Sequence, residues 1–443
     1  MRRRIVVTGL GLCTPVGSGP GDFWPNLLAG RSGIGPITRF AAGALPVRIG
    51  GEVKGLDLPA FPEVEPGDDR KVRLGLAAAR QALCDAGLAE ANLEPGLVSV
   101  GVCLEFFSLE RVAPVAGAAD MIQALARQWQ AGAGGPPLQI PLDCLTQQLG
   151  KHYRFRRGWS TNCSACAAGA QAVGEAFQRL REGEAELALA GAADSTLNPL
   201  GLGGFSLLRI LAQENDRPQA ACRPFDATRQ GTVLSEGAAF LVLETEARAR
   251  QRGARIYAEI TGYATSLDAY RVSDPEPSGR GAARCMSQAL ADAGLAPEAI
   301  DSINAHGTGT PKNDLTETQA IKQVFGEHAR RIPVYAIKSM TGHMIAASGA
   351  VEAAAACLSL YTGRIPPTIN LQHPDPLCDL DYVAGQARDF AGRTVLSNSF
   401  GFGGQNAALV FQRLAEEPLD GLANGPGGTA WAETGSRPLL SSE

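Results

Sequence analysis

Short apolar strands alternate with alanine-rich or amphipathic helices along most of the chain, which predicts an α/β fold. Two segments carry that prediction furthest. Val233–Glu244 reads as a long apolar strand, as expected for a mixed or parallel sheet covered on both faces. Ala346–Leu360 is apolar almost all round, as expected for a helix buried between layers. In chain order, Arg4–Thr8 is a first strand that feeds a Gly/Pro turn through Gly9, Gly11 and Pro15. Arg70–Ala86 is a helix ending near Gly87, and Val98–Cys103 a buried strand. Ala167–Glu182 is a helix, with Glu186–Ala190 a strand behind it. Ile256–Gly262 is the neighbour of Val233–Glu244, and Gly281–Ala293 a helix. Ile303–Ala305 ends a strand, Asp314–Phe325 is a helix, and Ala407–Phe411 closes the fold. Ala116–Pro137, with its AGAGGPP run, reads as an insertion or mobile loop. From about Pro418 periodicity is lost, and residues 416–443 read as a disordered tail.

The 443 residues include 40 Lys and Arg against 45 Asp and Glu, and 45% are hydrophobic. A near-average apolar fraction with a net charge of −5 excludes disorder over the whole chain. A pI near 5.7 argues against a dedicated nucleic-acid binder, which needs a basic field. No apolar run is long enough to span a membrane. The opening MRRRIVVTGLGLC imitates a signal peptide, but Thr8, Gly9 and Gly11 interrupt it and no small-x-small cleavage site follows. A cytoplasmic protein is expected. Ten cysteines in a chain this long are not a disulfide framework, and most sit in apolar company. Cys163-x-x-Cys166 lacks a second ligand pair, so no metal is expected.

Five segments invite a chemical reading. Gly9-Leu-Gly11 is not a dinucleotide fingerprint: position 14 is Thr, and Pro15 stands where a helix should begin. Ser164-Ala-Cys166-Ala-Ala-Gly169 puts a thiol at a strand-to-helix turn, on the positive end of the helix dipole, where thiolate is favoured. A lone cysteine there needs partners. Asn304-Ala-His306-Gly-Thr-Gly-Thr-Pro311 places a histidine at a strand end. Ile337-Lys338-Ser-Met-Thr-Gly-His343 places a lysine and a histidine around a glycine turn. The other histidines, His152, His328 and His373, lie in polar or Pro-rich surroundings. Asn398-Ser-Phe-Gly-Phe402-Gly-Gly404 is a glycine-rich loop whose N–H groups can face an oxyanion.

In this order, SACAAG, NAHGTGTP, KSMTGH and NSFGFGGQN, with VVTGLGLCTPVG before them, resemble the β-ketoacyl-[acyl-carrier-protein] synthases over residues 1–413. The likeness is to the elongating type II enzymes and related polyketide and polyene ketosynthases. The resemblance implies a thiolase fold: two α/β halves, 1–253 and 254–415, in a five-layered α-β-α-β-α sandwich. It implies Cys166 as the acyl-accepting nucleophile. It also implies that His306 and His343 promote malonyl decarboxylation and stabilise the enolate. Lys338 falls on the family lysine, and Glu317 on the glutamate that pairs with it. Thr308 and Thr310 would hold the pantetheine arm. Phe402 would gate the site, and its N–H and that of Cys166 would form the oxyanion hole, with Gly401, Gly403, Phe205 and Ser108 also on the substrate. No cofactor is implied beyond the phosphopantetheine that carries the substrate. The implied partners are an acyl carrier protein and a second subunit, identical or related. An acidic carrier would need basic patches, here Arg70, Lys71, Arg73 and Arg209.

The chain departs from the family pattern at Cys103–Glu110 (CLEFFSLE), a stretch that would line the far acyl pocket. It departs again at Gly309, expected to loosen its loop, at Gly231–Gly237 and at Gln405. Lys151–Arg157 (KHYRFRR) reads as a solvated basic loop. The departures lean the reading towards a specialised lipid pathway. A non-catalytic chain-length-factor-like subunit is the alternative, opposed by the intact cysteine and histidines. A degradative thiolase would use a second cysteine and one histidine.

Overall fold

Alternate residues of Gly237–Thr245 belong to two different cores, and that period of two sets the architecture. Ala239, Leu241 and Leu243 pack into a central cluster, while Ala238, Phe240 and Val242 pack into an outer one. The computed structural model describes residues 3–55, 69–89, 91–104, 112–115, 117–131 and 141–414. Ten strands carry the fold. The first five are β1 (Ile5–Thr14), β2 (Leu97–Gly101), β3 (Gly158–Asn162), β4 (Leu187–Asp194) and β5 (Gly237–Thr245). The second five are β6 (Ala258–Leu267), β7 (Ser302–Asn304), β8 (Val334–Tyr335), β9 (Thr394–Gly401) and β10 (Gln405–Gln412). Their hydrogen-bonded order is β8-β7-β9-β10-β6-β1-β5-β4-β2-β3.

That order is one arrangement used twice. β2 runs parallel to β3 and β4, as β7 does to β8 and β9. β5 lies antiparallel between β4 and β1, as β10 does between β9 and β6. The halves join where Ile5–Val7 pairs antiparallel with Ala258–Ile260.

The helices repeat in the same way. The first half has α1 (Arg70–Asp85), α2 (Cys144–His152) and α3 (Ala168–Glu182); the second has α4 (Arg280–Ala293), α5 (Pro311–Phe325) and α6 (Ala346–Thr362). α3 and α6 pack on each other between the sheets, α1 and α2 cover one outer face, and α4 and α5 cover the other. The five layers implied by the resemblance are therefore present.

Three expectations change. β6 pairs with β1 and β10, so Ile256–Gly262 is not the neighbour of the Val233–Glu244 segment; β1 lies between β6 and β5. Gly9 and Gly11 lie inside β1 rather than in a turn, because α1 crosses the strand too closely for side chains. A Cβ at Gly11 would stand 1.9 Å from the Ala78 carbonyl oxygen, and one at Gly9 2.3 Å from that of Ala82. Within the stretch read as an insertion or loop, Met121–Gln130 is helical. The expected tail, 416–443, lies outside the described residues.

α3 and α6 meet with equal closeness at their first turns. A Cβ on Gly349 would lie 2.6 Å from the Ala170 nitrogen, and one on Gly169 2.5 Å from the Ala346 oxygen. Gly349→Val should therefore force the two helices apart and lower stability by about 1–3 kcal/mol, read as a shifted urea midpoint. The loops that immediately precede these two helices should shift with it.

Candidate active site

Cys166 stands two residues before α3, immediately after Ala165, whose φ of +51° is rare for a residue with a side chain. The tight turn buries the sulfur, leaving the residue 5% exposed at the floor of a cavity of about 410 Å³. Burial pushes the thiol up to about 12, against the downward pull of the Lys338 charge and of the N–H groups of Phe402 and Cys166. The thiolate expected from the helix terminus is thus opposed by desolvation. Gly401 makes the N–H pair possible: a Cβ there would lie 3.0 Å from the Cys166 nitrogen.

His343 reaches the same sulfur from the other half. Its Nε2 is 3.2 Å from Sγ, and its Nδ1 is 3.0 Å from Ser348 Oγ on α6. Ile345, between His343 and α6, has a φ of +47°, a strained value for a β-branched side chain. His306 follows β7, and its ring centroid lies 5.4 Å from that of His343 in an edge-on arrangement. Burial, the Lys338 charge and their mutual proximity hold His306 well below the usual imidazole value; burial and Lys338 do the same for His343. Both rings are neutral at pH 7 and can donate hydrogen bonds to an oxygen that gains charge.

Lys338 corrects one expectation. Its ammonium, 1% exposed, is ion-paired with Glu352 of α6, not with Glu317. It also donates to the His306 carbonyl oxygen at 2.7 Å and lies 3.2 Å from His306 Nδ1. Glu317 instead accepts the backbone N–H groups of His306 and Gly307, at 2.8 and 2.9 Å. The reason is geometric: α5 delivers Glu317 beneath the His306 loop, whereas α6 runs past Lys338. Glu352 is the residue that the sequence reading missed. Its signal was the one charged residue of an alanine-rich helix read as buried, where a carboxylate needs a partner.

Thr308 and Thr310 line the cavity and share a hydrogen bond of 2.8 Å. Gly309 between them has a φ of +77° and donates to Asp314 Oδ1 at 3.2 Å, so the loop is anchored rather than loosened. Phe402 and Phe205 stack with centroids 6.3 Å apart, both on the cavity wall. Gly403, with a φ of +76°, donates its N–H to Val272 O and turns the chain behind Phe402. Ser108 lies outside the described residues.

The expected docking cluster divides. Arg70 is held by the buried Glu236 carboxylate, and Lys71 is 4% exposed beside Asp69, so neither offers a free charge to a partner. The N-terminal turn of α1 packs inward there, which the charge pattern alone did not show. Arg73 is exposed on α1 and does not line the cavity, whereas exposed Arg209 does. Among the described residues, no group of three or more His, Cys, Asp or Glu side chains could hold a metal, and no helix is long and apolar enough to cross a membrane. Buried oxygens of Asn304, Glu352, Asn398 and Ser399 lack hydrogen-bond partners and offer acceptors to internal water.

Two family models match most of the chain. The model of the beta-ketoacyl synthase N-terminal domain matches residues 2–249, and that of the C-terminal domain residues 257–372. The chain is 42% identical over 417 residues to the 3-oxoacyl-[acyl-carrier-protein] synthase 2 of Synechocystis sp., covering 93% of this chain and 98% of that one. It is 40% identical to the protein of the same name from Coxiella burnetii, covering 93% and 99%. Among solved structures, the ishigamide ketosynthase/chain length factor superposes with a TM-score of 0.82 at 36% identity, covering 94% of this chain and 100% of that one. A type II PKS acyl-carrier protein in complex with its ketosynthase bound to the hexaketide gives a TM-score of 0.81 at 34% identity, with the same coverage. With its fold, its motifs and nearly its full described length accounted for in this way, the chain belongs to the β-ketoacyl synthase family.

Proposed function

We propose that this chain is a 3-oxoacyl-[acyl-carrier-protein] synthase that condenses an acyl thioester with malonyl carrier protein, in fatty acid, polyketide or polyene synthesis. The observation that carries the reading is the meeting of Cys166 Sγ with His343 Nε2 at 3.2 Å, with His306 beside them on one cavity. In the first half-reaction the sulfur attacks the acyl carbonyl, and the thiol proton passes to His343 Nε2. The bond from carbonyl carbon to pantetheine sulfur breaks, and the leaving thiolate takes that proton back. The N–H groups of Cys166 and Phe402 receive the oxyanion. In the second half-reaction the malonyl C–C bond breaks and carbon dioxide leaves. The enolate oxygen is held by the two neutral imidazoles. The enolate carbon attacks the acyl-Cys166 carbonyl, and Cys166 leaves as thiolate and is reprotonated.

Thr308 and Thr310 suit the pantetheine arm, and the Phe205–Phe402 stack suits the gate to the acyl side. The carrier docks at the cavity mouth, where exposed Arg209 stands with Leu208 and Val272, which are 49% and 80% exposed, while Lys312 there is already ion-paired with Asp274 at 2.8 Å. A working dimer, with itself or a related subunit in the cytoplasm, fits the reading. A non-catalytic subunit role is opposed by the intact Cys166 and histidines.

The test is intact-protein mass spectrometry after incubation with a panel of acyl carrier proteins. One acyl adduct on Cys166 is expected, and no adduct with any member would sink the reading. Arg209→Glu should raise KM for the carrier-borne substrate by about fivefold to tenfold at low salt, with kcat little changed. The difference should shrink as salt is added.

A further inference from the structure

His306 and His343 do the same kind of work in the proposed reaction, yet their Nδ1 atoms face different partners. Nδ1 of His306 lies 3.2 Å from the Lys338 ammonium, a group with hydrogens and no acceptor. That contact fixes the ring proton of His306 on Nε2. Nδ1 of His343 lies 3.0 Å from Ser348 Oγ, and the same oxygen accepts the Met344 N–H at 3.0 Å. A hydroxyl has one hydrogen and two acceptor positions. With one position taken by Met344, Oγ keeps both a lone pair and its hydrogen for Nδ1. Ser348 is 1% exposed, so water does not compete for either.

We propose that Ser348 is a positioning residue that lets His343 carry its ring proton on either nitrogen. This rests on the condensing reading above. With hydrogen on Nδ1 donated to Ser348, Nε2 is free to take the Cys166 thiol proton. The resulting imidazolium keeps its Nδ1–H on the serine oxygen until Nε2 returns the proton to the leaving pantetheine thiolate. With the serine hydrogen donated to Nδ1, Nε2–H faces the cavity and holds the enolate oxygen. One ring thus serves both half-reactions, while His306 serves only the second. Ser348 sits on the first turn of α6, so the helix that supplies Glu352 to Lys338 also sets the tautomer of His343.

The test separates the two half-reactions in the full-length protein. Acylation of Cys166 is followed by rapid quench and intact mass, and malonyl-thioester decarboxylation by carbon dioxide release. Ser348→Ala should slow acylation by about 10- to 100-fold, because a hydrogen bond to a charged ring is lost. It should slow decarboxylation by less than about tenfold, because only a neutral one is lost. Ser348→Thr keeps the hydroxyl and should restore acylation to within about threefold. Selective 15N-histidine labelling should show tautomer-averaged ring nitrogens for His343 in the wild type and a single tautomer in Ser348→Ala.

Equal loss in both half-reactions without rescue by threonine, or an alanine variant that acylates as fast as wild type, would overturn the proposal. A wild-type protein that loads no acyl group would instead refute the condensing reading. The ring-nitrogen signals would still decide whether Ser348 sets the tautomer.

Discussion

Cys166→Ala abolishes acyl loading and carbon–carbon bond formation while the protein stays folded and still releases carbon dioxide from malonyl thioester. The expectation follows from how the two functions divide in space. The sulfur sits in an apolar cluster with Ala168, Phe205 and Ile345, so alanine removes one atom from a site whose other walls do not depend on it. His306 and His343 are placed by Lys338, Glu317 and Ser348, whereas the hydrogen-bond contact of the thiol is with His343 itself. Enolate formation therefore survives, and the enolate is quenched by a proton for want of an acyl partner. Cys163 cannot substitute, because it is exposed three residues earlier and lies outside the cavity lining. Loss of a covalent nucleophile of this kind costs more than about a thousandfold in turnover. Intact mass, gas release and thermal unfolding measured on one preparation check the three parts. Condensation retained in the alanine variant would remove Cys166 from the mechanism.

The nucleophile and both histidines were legible because each is bound to a local pattern: a small-residue turn, a strand end, a glycine loop. The α/β class was legible for the same reason, since the period of β5 and the apolar surface of α6 are properties of single segments. What failed was pairing between segments. Lys338 has two buried acids within reach along the chain, Glu317 and Glu352, and no sequence spacing states which helix brings its carboxylate to the ammonium. Gly9 and Gly11 were read as a turn because two glycines before a proline usually make one. They serve a helix, α1, that lies some sixty residues downstream. Arg70 and Lys71 looked like surface charge for the same reason: Glu236, which holds Arg70, immediately precedes β5.

The Lys338–Glu352 pair gives the second large effect, and it separates the true partner from Glu317. Lys338→Met leaves the Glu352 carboxylate fully buried with no cation, which should destabilise the fold by about 3–5 kcal/mol. Glu352→Leu should cost about as much by stranding the ammonium. The double variant Lys338→Met/Glu352→Leu puts apolar groups of similar size in contact and should recover most of the lost stability. Glu317→Gln behaves differently. It keeps one acceptor for the N–H groups of His306 and Gly307, and should cost only about 1–2 kcal/mol and show no rescue by Lys338→Met.

pH sharpens the contrast. Burial already raises Glu352 to about 7 with the lysine present, and removing the cation raises it further. In Lys338→Met the folded state then holds a proton that the unfolded state has lost, so stability falls as pH rises from about 4.5 through 7 and beyond. The double variant has no such slope at this site. Activity should not follow stability back. Without Lys338, Nδ1 of His306 loses the donor that keeps Nε2–H aimed at the enolate, and kcat stays down by about a hundredfold or more in the refolded double variant. Urea titrations across that pH range, set beside turnover, test both statements. A double variant that regained turnover would show the lysine to be only a structural charge, whereas stability regained without turnover assigns it to holding His306.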